Sequence, residues 1–143
     1  MRTTNYFDTF IAVSDDCPAN AGEMPPAKGN ARTAASIQYE MVSKHPYRYS
    51  SDDVLFQCFA QRHALKGAAI EKERAAFFSK GQPCLRSSPL VKRYGWGVHS
   101  DAKVRIALYG VGTVEYDRFL GDRDVKVLRG MRSSRQRDRA VPS

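Results

Sequence analysis

The sequence predicts an α+β domain with a mainly antiparallel sheet, in the element order β-α-α-α-β-β-α-β. Three observations predict it. Segments of helical period and segments of strand period come in runs rather than in strict alternation. Tyr94 to Tyr109 sort into two faces at a period of two, the mark of paired strands. The composition, 42% hydrophobic and 10% aromatic over 143 residues, is that of one globular domain, and a chain of this length buries roughly 68% of its unfolded surface. The expected boundaries are a compact domain over residues 1–131 and a basic, disordered tail over 132–143.

Each element has a local reason. "DTFIAVS", Asp8 to Ser14, is apolar at every position from Phe10 to Val13, as a strand covered on both faces would be. "DDCPANAGEMPPAKGNAR", Asp15 to Arg32, is dense in Pro, Gly, Asn and Ala without a period. That predicts a loop, long enough to be a candidate lid. Thr33 can cap a helix through Lys44, with Ala34, Ile37 and Met41 on one face and Pro46 beyond its end. Ser50 or Ser51 caps the next, which carries Asp52 and Asp53 in its first turn and a stripe of Leu55, Cys58, Phe59 and Leu65. A third helix spans roughly Ala69 to Ser79, with Gly81 placed to end it.

"SSPLVKR" then reads as a short helical turn with Ser88 at N-cap and Pro89 at N1. In the following hairpin one face takes Tyr94, Trp96, Val98, Val104, Ile106 and Leu108, and the other takes Gly95, Gly97, His99, Arg105, Ala107 and Tyr109. For the apolar sets to share a face, the connection must be odd in length or carry a bulge near Asp101 to Lys103. "TVEYDRFLG" suits a last helix and "DVKVL" a last strand.

Charge and cysteine usage narrow the function. The net charge is +8, and "RGMRSSRQRDRAVPS" from Arg129 onward holds five Arg against one Asp. Half of the excess therefore sits in the tail, and no groove-reading motif accompanies it, which argues against specific nucleic-acid binding. Cys17, Cys58 and Cys84 are odd in number and far apart, which argues for a reducing, cytoplasmic setting over a disulfide framework. No apolar run reaches the ~18 residues of a membrane span, and the N-terminus shows no signal-peptide pattern. There is no CxxC, HExxH, phosphate loop, dinucleotide fingerprint or GxSxG elbow, so neither a metal nor a cofactor is implied.

A site, if the chain has one, is expected in "KGQPCLRSSPLVKRYGWGVHSD", Lys80 to Asp101. Gly95 and Gly97 on one strand face would leave a trough of bare backbone that a ligand, a helix or another backbone could approach. His99 ends that trough, and Arg105 points the same way from the partner strand. With Arg86, Lys92, Arg93 and Tyr94 from the preceding turn, these residues suit a small anionic or polar ligand, because arginine forks onto carboxylate or phosphate. The plainer alternative has the glycines admitting a packed helix and the cations solvated or paired with Asp52 and Asp53. An enzyme reading uses Cys84 as nucleophile or redox centre, with His99 oriented by Asp101. A third reading is an interaction protein that works through its basic tail.

The blocks "NYFDTFIAVSDDCP", "HPYRYSSDDVLF" and "FFSKGQPCLRSSPLVKRYGWGVHSDAKVRIALYGV" resemble the signature of a family of small bacterial and fungal proteins classed as a domain of unknown function. The similarity covers about Asn5 to Met131 and centres on KGQPCLRxSPLxKRYGWGxHxD. It implies a single compact domain and carries no activity over. The family pattern has a Gly in the hairpin turn before "IALYGV" that this chain lacks, so a turn needing positive φ would be strained at Lys103 or Val104.

Overall fold

A computed structural model of the chain describes residues 2–26 and 33–133. The elements are β1 (Thr9–Ala12), α1 (Ala34–Lys44), α2 (Ser51–Arg62), α3 (Ala69–Ser79), a 3-10 turn (Leu85–Ser87), α4 (Pro89–Lys92), β2 (Trp96–Ser100), β3 (Ile106–Gly110), α5 (Val114–Gly121) and β4 (Lys126–Arg129). This is the expected α+β order. The four strands form one sheet, β3-β2-β1-β4.

The sheet is mixed, because β4 runs parallel to β1 while β1–β2 and β2–β3 are antiparallel. The reason is the helix between the last two strands. Carried back by α5, the chain begins β4 from the same end of the sheet as β3, and a strand–helix–strand crossover yields parallel strands. β1 lies inside the sheet between β2 and β4, and all four of its residues are buried.

Alternation along β1 divides the core. Ile11 faces the helical layer with Val42, Val54, Leu85, Val91, Val98 and Ile106. Phe10 and Ala12 face the other way, against Tyr116, Phe119 and Tyr109. A third cluster of Phe56, Ala60 and Phe78 joins α2 to α3.

Helix starts follow local chemistry. Thr33 accepts the Ser36 N–H, and Ser50 with Asp53 completes a reciprocal capping box. Ser88 accepts from Leu90 with Pro89 at N1, and Thr113 accepts from Tyr116. The buried face of α1 differs from the expected set: Ala35, Ile37, Gln38 and Val42 are buried, because α1 packs against both α2 and the sheet. In α2 the buried residues are Val54, Phe56, Cys58 and Ala60 as well as Ser51 and Asp52. Gly81 does not end α3 through a left-handed turn; the chain leaves through an extended Lys80.

The hairpin keeps the odd connection that the alternation demands. Val98 pairs with Leu108 and Ser100 with Ile106, leaving Asp101 to Arg105 as the loop. Asp101 Oδ1 accepts from the N–H groups of Lys103 (2.8 Å) and Arg105 (2.9 Å). The strain expected at Lys103 or Val104 falls on Val104, at φ 60°, where a β-branched residue pays a steric penalty. The long loop is tied down over its described part. Glu23 N–H donates to Tyr94 O (2.8 Å) and Trp96 Nε1 donates to Glu23 O (2.8 Å); residues 27–32 lie outside the described residues.

Candidate functional site

On the helical side, the loop after α3 is pinned by Gln82 Nε2 donating to Phe77 O (2.8 Å). The chain then turns through Cys84 into the 3-10 turn and α4. Ser88 Oγ accepts the Leu90 N–H, so its own proton goes to Gln38 Oε1 at 2.6 Å. Gln38 is 5% exposed. Its Nε2 then carries two N–H groups with no acceptor among the described residues, a costly state for a buried amide. Gln38, Leu55, Phe77, Gln82, Cys84 and Ser87 line a cleft of about 170 Å³ at this point.

Cys84 is half-buried and its thiol is free. Its Sγ lies 3.3 Å from the Tyr6 hydroxyl. Burial first, and then the bond to Cys84, push the Tyr6 pKa up to about 12, against the opposing pull of the Arg86 guanidinium beside it. Tyr6 therefore keeps its proton at neutral pH. Arg86 Nε donates to Arg129 O (2.6 Å), which fixes the guanidinium between the turn and β4. The segment before Tyr6 is clamped by the buried Asp52. Its carboxylate accepts from Thr3 Oγ1 (2.7 Å), Thr4 N (2.7 Å) and Thr4 Oγ1 (2.6 Å).

The opposite face of the sheet holds His99. Its Nδ1 lies 2.8 Å from the Tyr47 hydroxyl, which lies 2.8 Å from the Tyr109 hydroxyl. Phe119 of α5 stacks on the imidazole at 4.2 Å with 24° between the planes. Burial lowers the His99 pKa, outweighing the upward pull of Asp101, Asp8 and Asp122. Burial likewise raises Tyr47, reinforced by Tyr109. Asp101 does not orient the imidazole: its Oδ1 closes the hairpin loop.

The trough expected over the two glycines is filled. A Cβ on Gly97 would stand 2.4 Å from the Phe10 ring and 2.8 Å from Tyr116, and one on Gly95 would stand 2.3 Å from Ala21 O. A helix side chain and a loop backbone occupy the space a ligand was to enter. The sheet also separates the expected partners. Val98 packs with Leu85 and Tyr6 on the helical face, so His99, next along the strand, points to the other. Cys84 and Arg86 therefore lie on one face and His99 on the opposite one. The Cys84–His99 pair and the convergence of Arg86 with His99 do not form.

The remaining expected residues sit as follows. Lys92 is half-buried, and Arg93 and Arg105 are exposed. Tyr94 lends its carbonyl to Glu23 and its N–H to Pro89 O. The cations of the turn do not pair with the acidic start of α2, since Asp53 pairs with Arg74 at 2.9 Å and Asp52 with the threonines. Of the expected tail, Arg132 reaches Asp15 (3.9 Å) and Ser133 donates to Asp16; residues 134–143 lie outside the described residues. Among the described residues, no three His, Cys, Asp or Glu side chains gather as a metal site, and no helix is long and apolar enough to cross a membrane.

Sequence reasoning missed Tyr6, Gln38, Tyr47 and Phe119. Only Gln38 left a signal: it lies one helical turn from Ala34, on the apolar face, and is polar.

A family model matches residues 1–136, and the chain belongs to that family, the family of unknown function DUF6157. Neither the curated proteins nor the solved structures contain a match.

Proposed function

We propose that this member of a family of unknown function binds a small polar or anionic ligand, and that its site is the cleft beside Cys84. The observation that supports this reading is the Gln38 amide: a buried side chain that lines an open cleft and whose N–H groups have no acceptor among the described residues. A ligand carrying an acceptor oxygen would satisfy it.

The basic turn of the expected site is retained in this reading, and Gln38 replaces the strand half. Arg86 supplies fixed positive charge next to the Tyr6 hydroxyl, which is bonded to Cys84. Lys92, Arg93 and Arg105 contribute to the basic surface that draws an anion in. The cleft limits the ligand to a few heavy atoms.

The test is a titration of ¹⁵N-labelled protein with acetate and with inorganic phosphate, following the side-chain amide signals of Gln38. A saturable shift of the Gln38 amide is the expected result, with the accompanying backbone shifts of Ser87 and Ser88 at the cleft lost in Gln38→Met. An amide unmoved by either anion sinks the proposal.

A further inference from the structure

We propose that the Cys84 sulfur is oxidised to a sulfenic acid by a small hydroperoxide held in the cleft, with the Gln38 amide as hydrogen-bond donor to the peroxide and the Tyr6 hydroxyl bonded to the sulfur. The inference rests on the cleft being a ligand site, and it adds the class of molecule that reacts there.

The lining of the cleft selects the chemistry. Gln38, Gln82, Cys84, Ser87 and Ser88 are its polar members, and among the described residues no carboxylate, imidazole or amine lines it. Acyl transfer needs a general base beside the nucleophile, and His99 is on the other side of the sheet. Oxidation by a peroxide needs only the sulfur and donors for the departing oxygen. Gln38 is such a donor: it lines the cleft, and its Nε2 has no acceptor among the described residues to compete with a bound oxygen. Tyr6 is bonded to the sulfur itself. The volume, about 170 Å³, admits hydrogen peroxide or a short alkyl hydroperoxide and excludes bulky ones. The other thiols have different surroundings: Cys58 is 5% exposed in the core, and Cys17 sits half-buried outside the cleft.

The step balances as follows. The Cys84 thiol releases its proton, and the thiolate attacks one peroxide oxygen. The S–O bond forms as the O–O bond breaks. The sulfur loses two electrons to the peroxide, whose second oxygen leaves as hydroxide or alkoxide. That oxygen takes up the proton the thiol released and departs as water or alcohol. Cys84 is left as the sulfenic acid.

The experiment treats the full chain with hydrogen peroxide in the presence of a 1,3-dione that traps sulfenic acids, and maps each labelled cysteine by mass. Cys84 is expected to label about tenfold faster than Cys17, the factor that one hydrogen bond to a developing charge supplies. Tyr6→Phe, which keeps the ring in the core, is expected to remove most of that advantage. Gln38→Met, close in volume, is the second variant and is expected to slow Cys84 as well. Labelling of Cys84 no faster than Cys17, or an advantage untouched by both variants, overturns the proposal. Failure of the ligand reading looks different: the Gln38 amide stays unmoved by acetate and phosphate. Failure of this inference alone is an amide that moves beside a Cys84 that does not label.

Discussion

Cys84, before the 3-10 turn, and His99, on β2, lie on opposite sides of one sheet. Each is half-buried, and each has a tyrosine hydroxyl as its partner: Tyr6 at 3.3 Å for the sulfur and Tyr47 at 2.8 Å for the imidazole. What differs is the cover. Over His99 lie Phe119, stacked at 4.2 Å, and the ring pair Phe10–Tyr116 that fills the strand beside it. Beside Cys84 lie two glutamines, two serines and an open cleft. The amphipathic helix α5 has one apolar face and spends it on Gly97 and His99. On the helical side the chain passes Cys84 in a short 3-10 turn and a four-residue helix, and the cleft opens between these and the longer helices. A reactive residue type therefore counts for less than the element that happens to pack over it.

The largest effect that separates the two faces is steric. Gly97→Ala would drive a methyl into Phe10 and Tyr116, and we expect a loss of about 3 kcal/mol, or about 10 °C in thermal midpoint. Cys84→Ala, at the open cleft, is expected to stay within about 1 kcal/mol of the parent. Equal, small losses for both substitutions would mean that the His99 face is as loosely covered as the cleft.

A smaller effect, of opposite sign, tests the hairpin. Val104 holds φ 60°, so Val104→Gly should raise stability by about 1 kcal/mol, as the left-handed penalty is relieved and the added freedom of glycine offsets part of it. Denaturant midpoints measure it. The Gln38 amide signals should not move, since no residue of the strained loop lines the cleft.

The smallest effect is a pH slope. The folded His99 pKa is depressed below its ordinary 6.5, chiefly by burial. Just below 6.5 the unfolded chain therefore binds a proton that the folded chain does not, and stability rises with pH. This contribution is complete above about 6.5 and is lost as pH falls toward the folded pKa. Unfolding measured across that window should show a flatter slope for His99→Gln than for the parent, and an unchanged slope for Cys84→Ala. Identical slopes for His99→Gln and the parent would show that the imidazole is not desolvated by Phe119.

Much of the fold was legible because its signals are local. The caps at Thr33, Ser50 and Ser88 act within three residues of themselves. The hairpin register follows from a period of two and an odd loop. The site was legible only in part. Cys84, Arg86 and His99 all fall within residues 80–101, but the alternation that assigned His99 to one face says nothing about which face Cys84 approaches. Gly97 was read correctly as a place of close approach; whether a ligand or Tyr116 comes close depends on a helix whose sequence begins beyond the hairpin.

By itself, then, the sequence determined the element order, the strand faces, the caps and the absence of familiar cofactor motifs, since each rests on neighbours within a turn or two of chain. Only the tertiary structure decided that β4 runs parallel to β1, that Phe10 and α5 close over Gly97, and that Gln38 and Cys84 meet at a cleft with Tyr6 bonded to the sulfur. Those outcomes join residues tens of positions apart, and they are set by which apolar faces bury one another rather than by any local preference.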